Sequence, residues 1–263
     1  MLRVVTLNTW KCDGDYDARL VAMTEALAAL DADVLCLQEC FAATTTGASD
    51  EAPVAAHRAD TAATLAQALG LHCSPAPARR KPRDFRGARV LSTSGLAILT
   101  RSAPRHASVL PLPSDARDGE RIAQCVTLRH GAARMRIVNV HLSHLRDAHA
   151  LRAEQLEAVL GRWGQDETPV LIAGDFNCTF EDAPFAVLHA RSDLDVGPEP
   201  AATWPGTLHA RGHERAIDHV LLLRARGADS PRIVARARAL DTPGSTGVHP
   251  SDHAAVCVEV AFP

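Results

Sequence analysis

The chain has 263 residues, with 28 Lys+Arg against 31 Asp+Glu and a formal charge of -3 at pH 7. That balance excludes a protein coated in basic surface for indiscriminate nucleic-acid binding. A composition of 46% hydrophobic and 22% charged residues excludes global disorder, collagen and long coiled coil, and supplies enough apolar material for a large core.

Residues 2–7 form an apolar, β-branched run ending at Asn8, which predicts a buried strand opening into a polar loop. Leu20, Met23, Leu27 and Leu30 then recur at helical spacing behind the Asp-rich stretch 13–17, a suitable helix entry. Residues 34–37 predict a second buried strand ending at Gln38-Glu39, so the chain opens with a strand–helix–strand unit. Residues 41–59, rich in Ala, Thr, Gly and Ser, carry no period and read as a loop; residues 61–69 read as a helix. Strands follow at 96–100, 121–128 and 134–141, with Gly131 marking a hairpin turn between the last two. Leu145, Ala148, Leu151, Leu156 and Val159 predict a helix, and residues 169–173 a buried strand stopping at Gly174-Asp175. The last third gives strands at 217–223, 233–240 and 254–260. No repeat or long linker interrupts the series, so residues 1–263 are read as a single mixed α/β domain with helices packed outside sheets.

The seven cysteines include no Cys-x-x-Cys pair, so reduced thiols are expected rather than a zinc ribbon or a disulfide framework. The opening MLRVVTLNTW lacks the apolar segment of a signal peptide, and no run approaches the roughly 18 apolar residues of a membrane span. A soluble, cytoplasmic monomer without membrane insertion is the expectation.

Chemistry concentrates at the strand ends. Gly174-Asp175-Phe176-Asn177 follows a buried strand directly: glycine permits a sharp turn, and carboxylate and amide are then held on rigid backbone. Asn8, Glu39, His141, Asp175, Asn177, Asp218, Asp252 and His253 all stand at or beside such ends, where sites are built in these sheets. Carboxylates, amides and histidines together suit a hard divalent cation and a phosphate, with proton transfer by the His and acid groups. The composition alone leaves open a metallohydrolase acting on amides.

The series Thr6-Leu7-Asn8, Leu37-Gln38-Glu39, Gly95-Leu96-Ala97-Ile98-Leu99, Asn139-Val140-His141-Leu142, Gly174-Asp175-Phe176-Asn177, Arg215-Ala216-Ile217-Asp218-His219-Val220 and Ser251-Asp252-His253, in that order, resembles the endonuclease/exonuclease/phosphatase superfamily. Its fold is that of deoxyribonuclease I. The resemblance implies a four-layer α/β sandwich, two stacked mixed β-sheets flanked by helices, with the site at the sheet ends. It implies Mg²⁺, with Mn²⁺ as substitute, held by Glu39 with Asn8 and Asp252 close by. It implies that Asp175 orients or deprotonates the attacking water and that Asn177 donates to the scissile phosphate. Asp218 then orients His253 for acid/base work or phosphate polarisation. His141 stands where several branches place a histidine that stabilises the phosphate or protonates the leaving oxygen. The implied activity is metal-dependent hydrolysis of a phosphoester, as phosphodiesterase, phosphomonoesterase or nuclease. The implied partner is a phosphorylated substrate: nucleic acid, a nucleotide or a small phosphoester. The alternative is an inactive phosphate- or nucleic-acid-binding protein on the same scaffold.

The His141/His144, His209/His213 and His249/His253 pairs lack the His-Glu-x-x-His pattern of a zinc site. The basic run at 79–89 reads either as a solvated loop or as a mobile arm that binds an extended anionic substrate. Trp204 reads either as a stacking platform for a flat leaving group or as core.

Overall fold

The computed structural model describes residues 1–44, 59–131, 133–208, 215–225 and 230–263. The chain begins with β1 (Leu2–Asn8), α1 (Tyr16–Leu30) and β2 (Val34–Thr44), followed by β3 (Ala59–Asp60), α2 (Thr61–Leu69), β4 (His72–Ala76), β5 (Lys81–Phe85) and β6 (Ala88–Thr100). Next come β7 (Arg105–Pro111), β8 (Ile122–His130), β9 (Ala133–His141), α3 (His149–Trp163) and β10 (Val170–Asp175). The short α4 (Ala186–His189) and β11 (Leu194–Asp195) lead to β12 (Asp218–Leu223), β13 (Arg232–Ala239) and β14 (Ala255–Ala261).

Local chemistry sets the helix ends. Asp15 accepts the Ala18 N–H at 3.1 Å and Asp60 the Ala63 N–H at 2.9 Å, each satisfying an amide that the first turn leaves unpaired. Asp31 and Gly70 close α1 and α2 in the left-handed conformation.

Two mixed sheets result. One has the order β13-β14-β1-β2-β6-β4, with β3 beside β2 and β5 beside β6; the other has the order β11-β12-β10-β9-β8-β7. Val4, Val34, Ile98 and Val258 of the first sheet meet Val126, Ile137, Leu171 and Val220 of the second in a buried cluster between them. Met23, Leu27 and Leu65 of α1 and α2 cover the outer face of the first sheet. Leu156, Val159 and Trp163 of α3 cover the second. The layers are helix, sheet, sheet, helix, as the family resemblance implied.

Each sheet contains one parallel pair, β1–β2 and β9–β10, and the carboxyl ends of both pairs lie on the same cleft. Buried amides tie the sheets together there. Gln38 donates to Asn139 Oδ1 at 2.8 Å, and Asn139 donates to the Leu37 and Ala97 carbonyls at 2.9 and 3.1 Å. Unmade, such buried bonds would each cost about 1–3 kcal/mol.

Several local expectations change. Strand β2 does not stop at Glu39 but continues to Thr44, past a register shift between Leu37 and Cys40 where Glu39 takes φ +55°. A bulge re-aims a side chain without ending the strand, so residues 41–44 are strand and not loop; residues 45–58 lie outside the described residues. The basic run is a β5–β6 hairpin turning at Arg86-Gly87, pinned by Phe85 against Tyr16 and Phe41 at ring separations of 5.4 and 4.9 Å. From Lys81 onward the run is strand and turn rather than loop, with Arg79 and Arg80 just ahead of it. Helix α3 begins at His149 and not at Leu145, because Arg152 takes the Ser143 and Leu145 carbonyls at 2.9 and 2.7 Å. Strands β4, β5 and β7 have no signature in the sequence because their exposed residues break up any apolar run.

Gly174 makes no turn. It lies inside β10 at φ +150°, and a Cβ there would stand 2.0 Å from the Val140 carbonyl oxygen. Gly174→Ala is expected to cost about 2–4 kcal/mol through overpacking and backbone strain. Gly131→Ala, at φ +60° with nothing within 4 Å, should cost only about 1 kcal/mol. Equal losses in denaturant unfolding would contradict this reading of Gly174.

Candidate active site

Sheet register assembles the site. Asn8 pairs with Gln38 across β1–β2, one residue from the bulged Glu39. In the second sheet Asp175 stands opposite His141 on one side and Asp218 on the other. His253 arrives from the first sheet, just ahead of β14, and is fixed by a backbone bridge to Leu208. A cleft of about 930 Å³ opens over these ends, lined by Asn8, Glu39, His141, Asp175, Asn177, Asp252 and His253. Asp218, behind His253, completes the eight residues singled out from sequence.

Asp218 accepts from His253 Nδ1 at 2.8 Å, with both side chains buried. This leaves His253 Nε2 on the side of Asp175, 4.0 Å from its Oδ2. Burial opposes charge on His253, but Asp218, Asp175 and Asp252 outweigh it and push its pKa up to about 10. Burial also raises the Asp175 carboxyl well above the usual carboxylate range, and the neighbouring Asp218 charge adds to that rise. Asp175 is held from two sides: Asn8 Nδ2 donates to its Oδ2 at 3.0 Å and the Asn177 N–H to its Oδ1 at 2.9 Å. The Asn8 amide is oriented in turn by the Trp10 N–H, which donates to its Oδ1 at 3.0 Å.

His141 behaves differently from His253. Burial and the positive charges of Arg121, Lys11, Arg79 and His253 push its pKa well below the ordinary imidazole value, so it is neutral. Its Nε2 lies 3.5 Å from Asp175 Oδ2. Asn177, at φ +52°, donates from Nδ2 to the Leu142 carbonyl at 3.1 Å, which leaves a second amide hydrogen for the cleft.

The residues present fit a divalent cation. Glu39 and Asp252 both open to the cleft. Burial raises the Asp252 carboxyl, the His253 charge opposes that rise, and the Glu39 charge adds to it. Two nearby carboxylates with oxygen ligands facing one space form a donor set suited to a hard cation. A ligand-type oxygen or nitrogen of Asp175, Asp218 and His253 also lie within 4.8 Å of one another, and Asp218 Oδ1 is buried without a partner among the described residues.

The sequence pattern of the Endonuclease/Exonuclease/phosphatase family matches residues 5–253. The chain belongs to this family. Solved structures agree on the fold. Humanized D. rerio TDP2 is 18% identical, covering 99% of both chains at a TM-score of 0.73. The human Nocturnin catalytic domain with bound sulfate is 17% identical, covering 100% of this chain and 94% of that one at 0.72. The Bacteroides thetaiotaomicron mannosyl-6-phosphatase is 18% identical, covering 100% of both at 0.65. Among curated protein sequences none matches. Among the described residues no helix is long and apolar enough to cross a membrane.

In this family member the sequence did not single out the residues that brace the site. Arg19, 3% exposed, donates to the carbonyls of Thr9, Trp10, Lys11, Asp13 and Pro250 at 2.9–3.2 Å. It thereby holds Trp10 and Lys11 at φ +54° and +44°, a strained pair that line the cleft. Lys11 Nζ reaches Glu39 Oε2 at 2.8 Å. In the other half Arg152 clamps the loop after His141 in the same way. Both arginines sit on the apolar stripe of their helices, Arg19 with Ala22, Met23 and Leu27, and Arg152 with Leu156 and Val159. A charged residue on such a stripe was the available signal.

Trp204 is core. It packs against Phe180 and His219, with the Arg236 guanidinium 3.8 Å from its ring centre, and does not line the cleft. His219 is buried among Phe176, Phe185 and Trp204, bonded to the Cys178 carbonyl at 2.9 Å. His209 and His213 lie outside the described residues.

The raised pKa of His253 depends on Asp218. In EDTA, its imidazole signal by NMR should remain that of the protonated ring through neutral pH, and Asp218→Asn should lower the midpoint by at least about one unit. An unchanged midpoint would remove Asp218 as the cause.

Proposed function

We propose that residues 1–263 act as one catalytic domain that hydrolyses phosphoesters with a divalent metal ion, Mg²⁺ or Mn²⁺. The observation that carries this reading is the buried line Asp218–His253–Asp175 facing a cleft that also holds Glu39 and Asp252. Glu39 and Asp252 would hold the cation, with Asn8 beside them. When bound, the ion supplies Lewis-acid charge to a phosphoryl oxygen.

The chain's own residues then divide the work. Asp175, buried and unusually basic for a carboxylate, accepts the proton of the attacking water as the water oxygen bonds to phosphorus and the bond from phosphorus to the ester oxygen breaks, the departing oxygen taking its proton from solvent in the open cleft. His253, charged and fixed by Asp218, donates from Nε2 to a non-bridging phosphoryl oxygen, where negative charge builds up. Asn177 donates its remaining amide hydrogen to the same group. His141 adds a neutral N–H donor, which avoids placing a second imidazolium beside His253. Asn8 keeps the Asp175 carboxylate aimed into the cleft. The orientation of His253 by Asp218 follows the logic of a hydrolase triad without its serine.

The named relatives support a phosphoester as the substrate class, since one is by name a mannosyl-6-phosphatase. The substrate is a nucleic acid, a nucleotide or a small phosphoester.

Turnover of a phosphodiester and a phosphomonoester chromogen with Mg²⁺, Mn²⁺ or EDTA tests the reading. Some phosphoester should be cleaved with metal and not in EDTA. His253→Ala and Asp175→Asn should each lower kcat by about 10²–10⁴-fold with the fold retained. Near-normal rates in both variants, or a wild type inert with every metal and phosphoester, would refute it. Glu39→Gln should act mainly on the Mg²⁺ requirement, raising the concentration for half-maximal rate; an unaltered requirement would remove Glu39 as a ligand.

A further inference from the structure

The β5–β6 hairpin gives the cleft a wall that none of the steps above uses. Arg79, Lys81 and Arg83 line it. Arg83 is 9% exposed, and its Nη1 and Nη2 donate to the Ser92 and Ser94 hydroxyls at 2.7 Å each. Hydroxyl partners fix the direction of the guanidinium without cancelling its charge. Among the described residues none of the three cations has a carboxylate within ion-pair distance, whereas Arg86 and Arg89 of the same run are paired with Asp17 and Asp84. Burial lowers the pKa of Arg79, Lys81 and Arg83 and like-charged neighbours add to the fall for Arg79 and Lys81, while more distant carboxylates oppose it, Asp118 and Glu39 at Arg79, Asp13 at Lys81, and Glu39 and Asp13 at Arg83.

Lys81 and Arg83 on the hairpin and Arg79 just ahead of it, three cations without a salt-bridge partner among the described residues, repel one another, and a bound anion relieves that repulsion. Arginine in particular presents a rigid fork suited to phosphate oxygens. The cleft, at about 930 Å³, is near the upper end of the range of about 300–1,000 Å³ for small-molecule pockets, so it has room beyond a single phosphoryl group. We propose that Arg79, Lys81 and Arg83 form a second phosphate subsite, and that the substrate carries another phosphoryl group besides the one hydrolysed. This assignment rests on the reading of the cleft as a phosphoester site.

Calorimetric titration of the full chain in EDTA tests it by binding, independently of turnover. The probes are inorganic phosphate, pyrophosphate and a dinucleotide with a terminal phosphate. Wild type should bind at least one of the two larger probes about tenfold or more tighter than phosphate, a difference of about 1.4 kcal/mol. Preference for pyrophosphate would mean adjacent phosphoryl groups, and preference for the dinucleotide groups one sugar apart. Lys81→Gln, at an exposed position, should remove most of that margin, weakening the larger probe more than inorganic phosphate. Arg134→Gln, an equal charge change at an exposed position of β9 that does not line the cleft, should leave the margin intact. Arg83→Gln, with its fold checked by circular dichroism, is a second probe of the wall, and Lys81→Gln decides if it unfolds. No margin in wild type, or equal losses in the Lys81 and Arg134 variants, would overturn the subsite. A wild type that cleaves no phosphoester would instead refute the catalytic reading, and the binding margin would still report on the wall.

Discussion

A buried imidazolium between two buried carboxyl groups joins the sheets beneath the cleft. His253 comes from just ahead of β14, an inner strand of one sheet, and Asp218 and Asp175 from adjacent strands of the other, so the 2.8 Å contact to Asp218 is both an electrostatic requirement and an assembly constraint. Charges so far from water are tolerable only when paired, and removing one partner of such a pair typically costs about 3–5 kcal/mol. The other contacts across the seam follow the same rule. Asn8 reaches Asp175, and Gln38 reaches Asn139. The apolar cluster between the sheets supplies cohesion, and these polar contacts set how the two sheets sit against each other at the site.

The halves of the molecule solve one problem twice. Each has a parallel strand pair whose carboxyl ends carry functional groups, and each follows its first strand with a loop that must hold an irregular course. A buried arginine on the next helix, Arg19 or Arg152, gathers that loop's carbonyls. Guanidinium donors suit this task because five N–H groups in one plane can satisfy several carbonyls at once. Arg19 also reaches Pro250, near Asp252 and His253, so one side chain couples the loop beyond Asn8 to the loop that delivers His253.

Much of this was legible in the sequence because burial on both faces produces unbroken apolar runs. Strands β1, β10 and β12 and the polar residues at their ends can be read directly, and the eight candidate residues stand out by chemistry at strand ends together with a family resemblance. Glu39 reads in sequence as the end of a strand, whereas it occupies a bulge inside one, a feature set by pairing with β6 that no local pattern records. Gly174 was likewise expected to turn the chain, whereas the approach of Val140 from the neighbouring strand is what excludes a side chain there. The hairpin at 81–100 was hidden because its charged residues face a cleft, and charge facing a cleft looks the same in sequence as charge facing solvent. Trp204 could not be placed without knowing that Phe180, His219 and Arg236 surround it.

The most direct test of the central claim, that the seam between the sheets builds a metal- and phosphate-binding hydrolytic centre, is anomalous diffraction from crystals soaked in Mn²⁺ and inorganic phosphate. The account predicts a manganese peak bound by the Glu39 and Asp252 carboxylates, with phosphate oxygens against His253 and Asn177. A manganese peak elsewhere, or phosphate absent from the cleft with Mn²⁺ present, would contradict it.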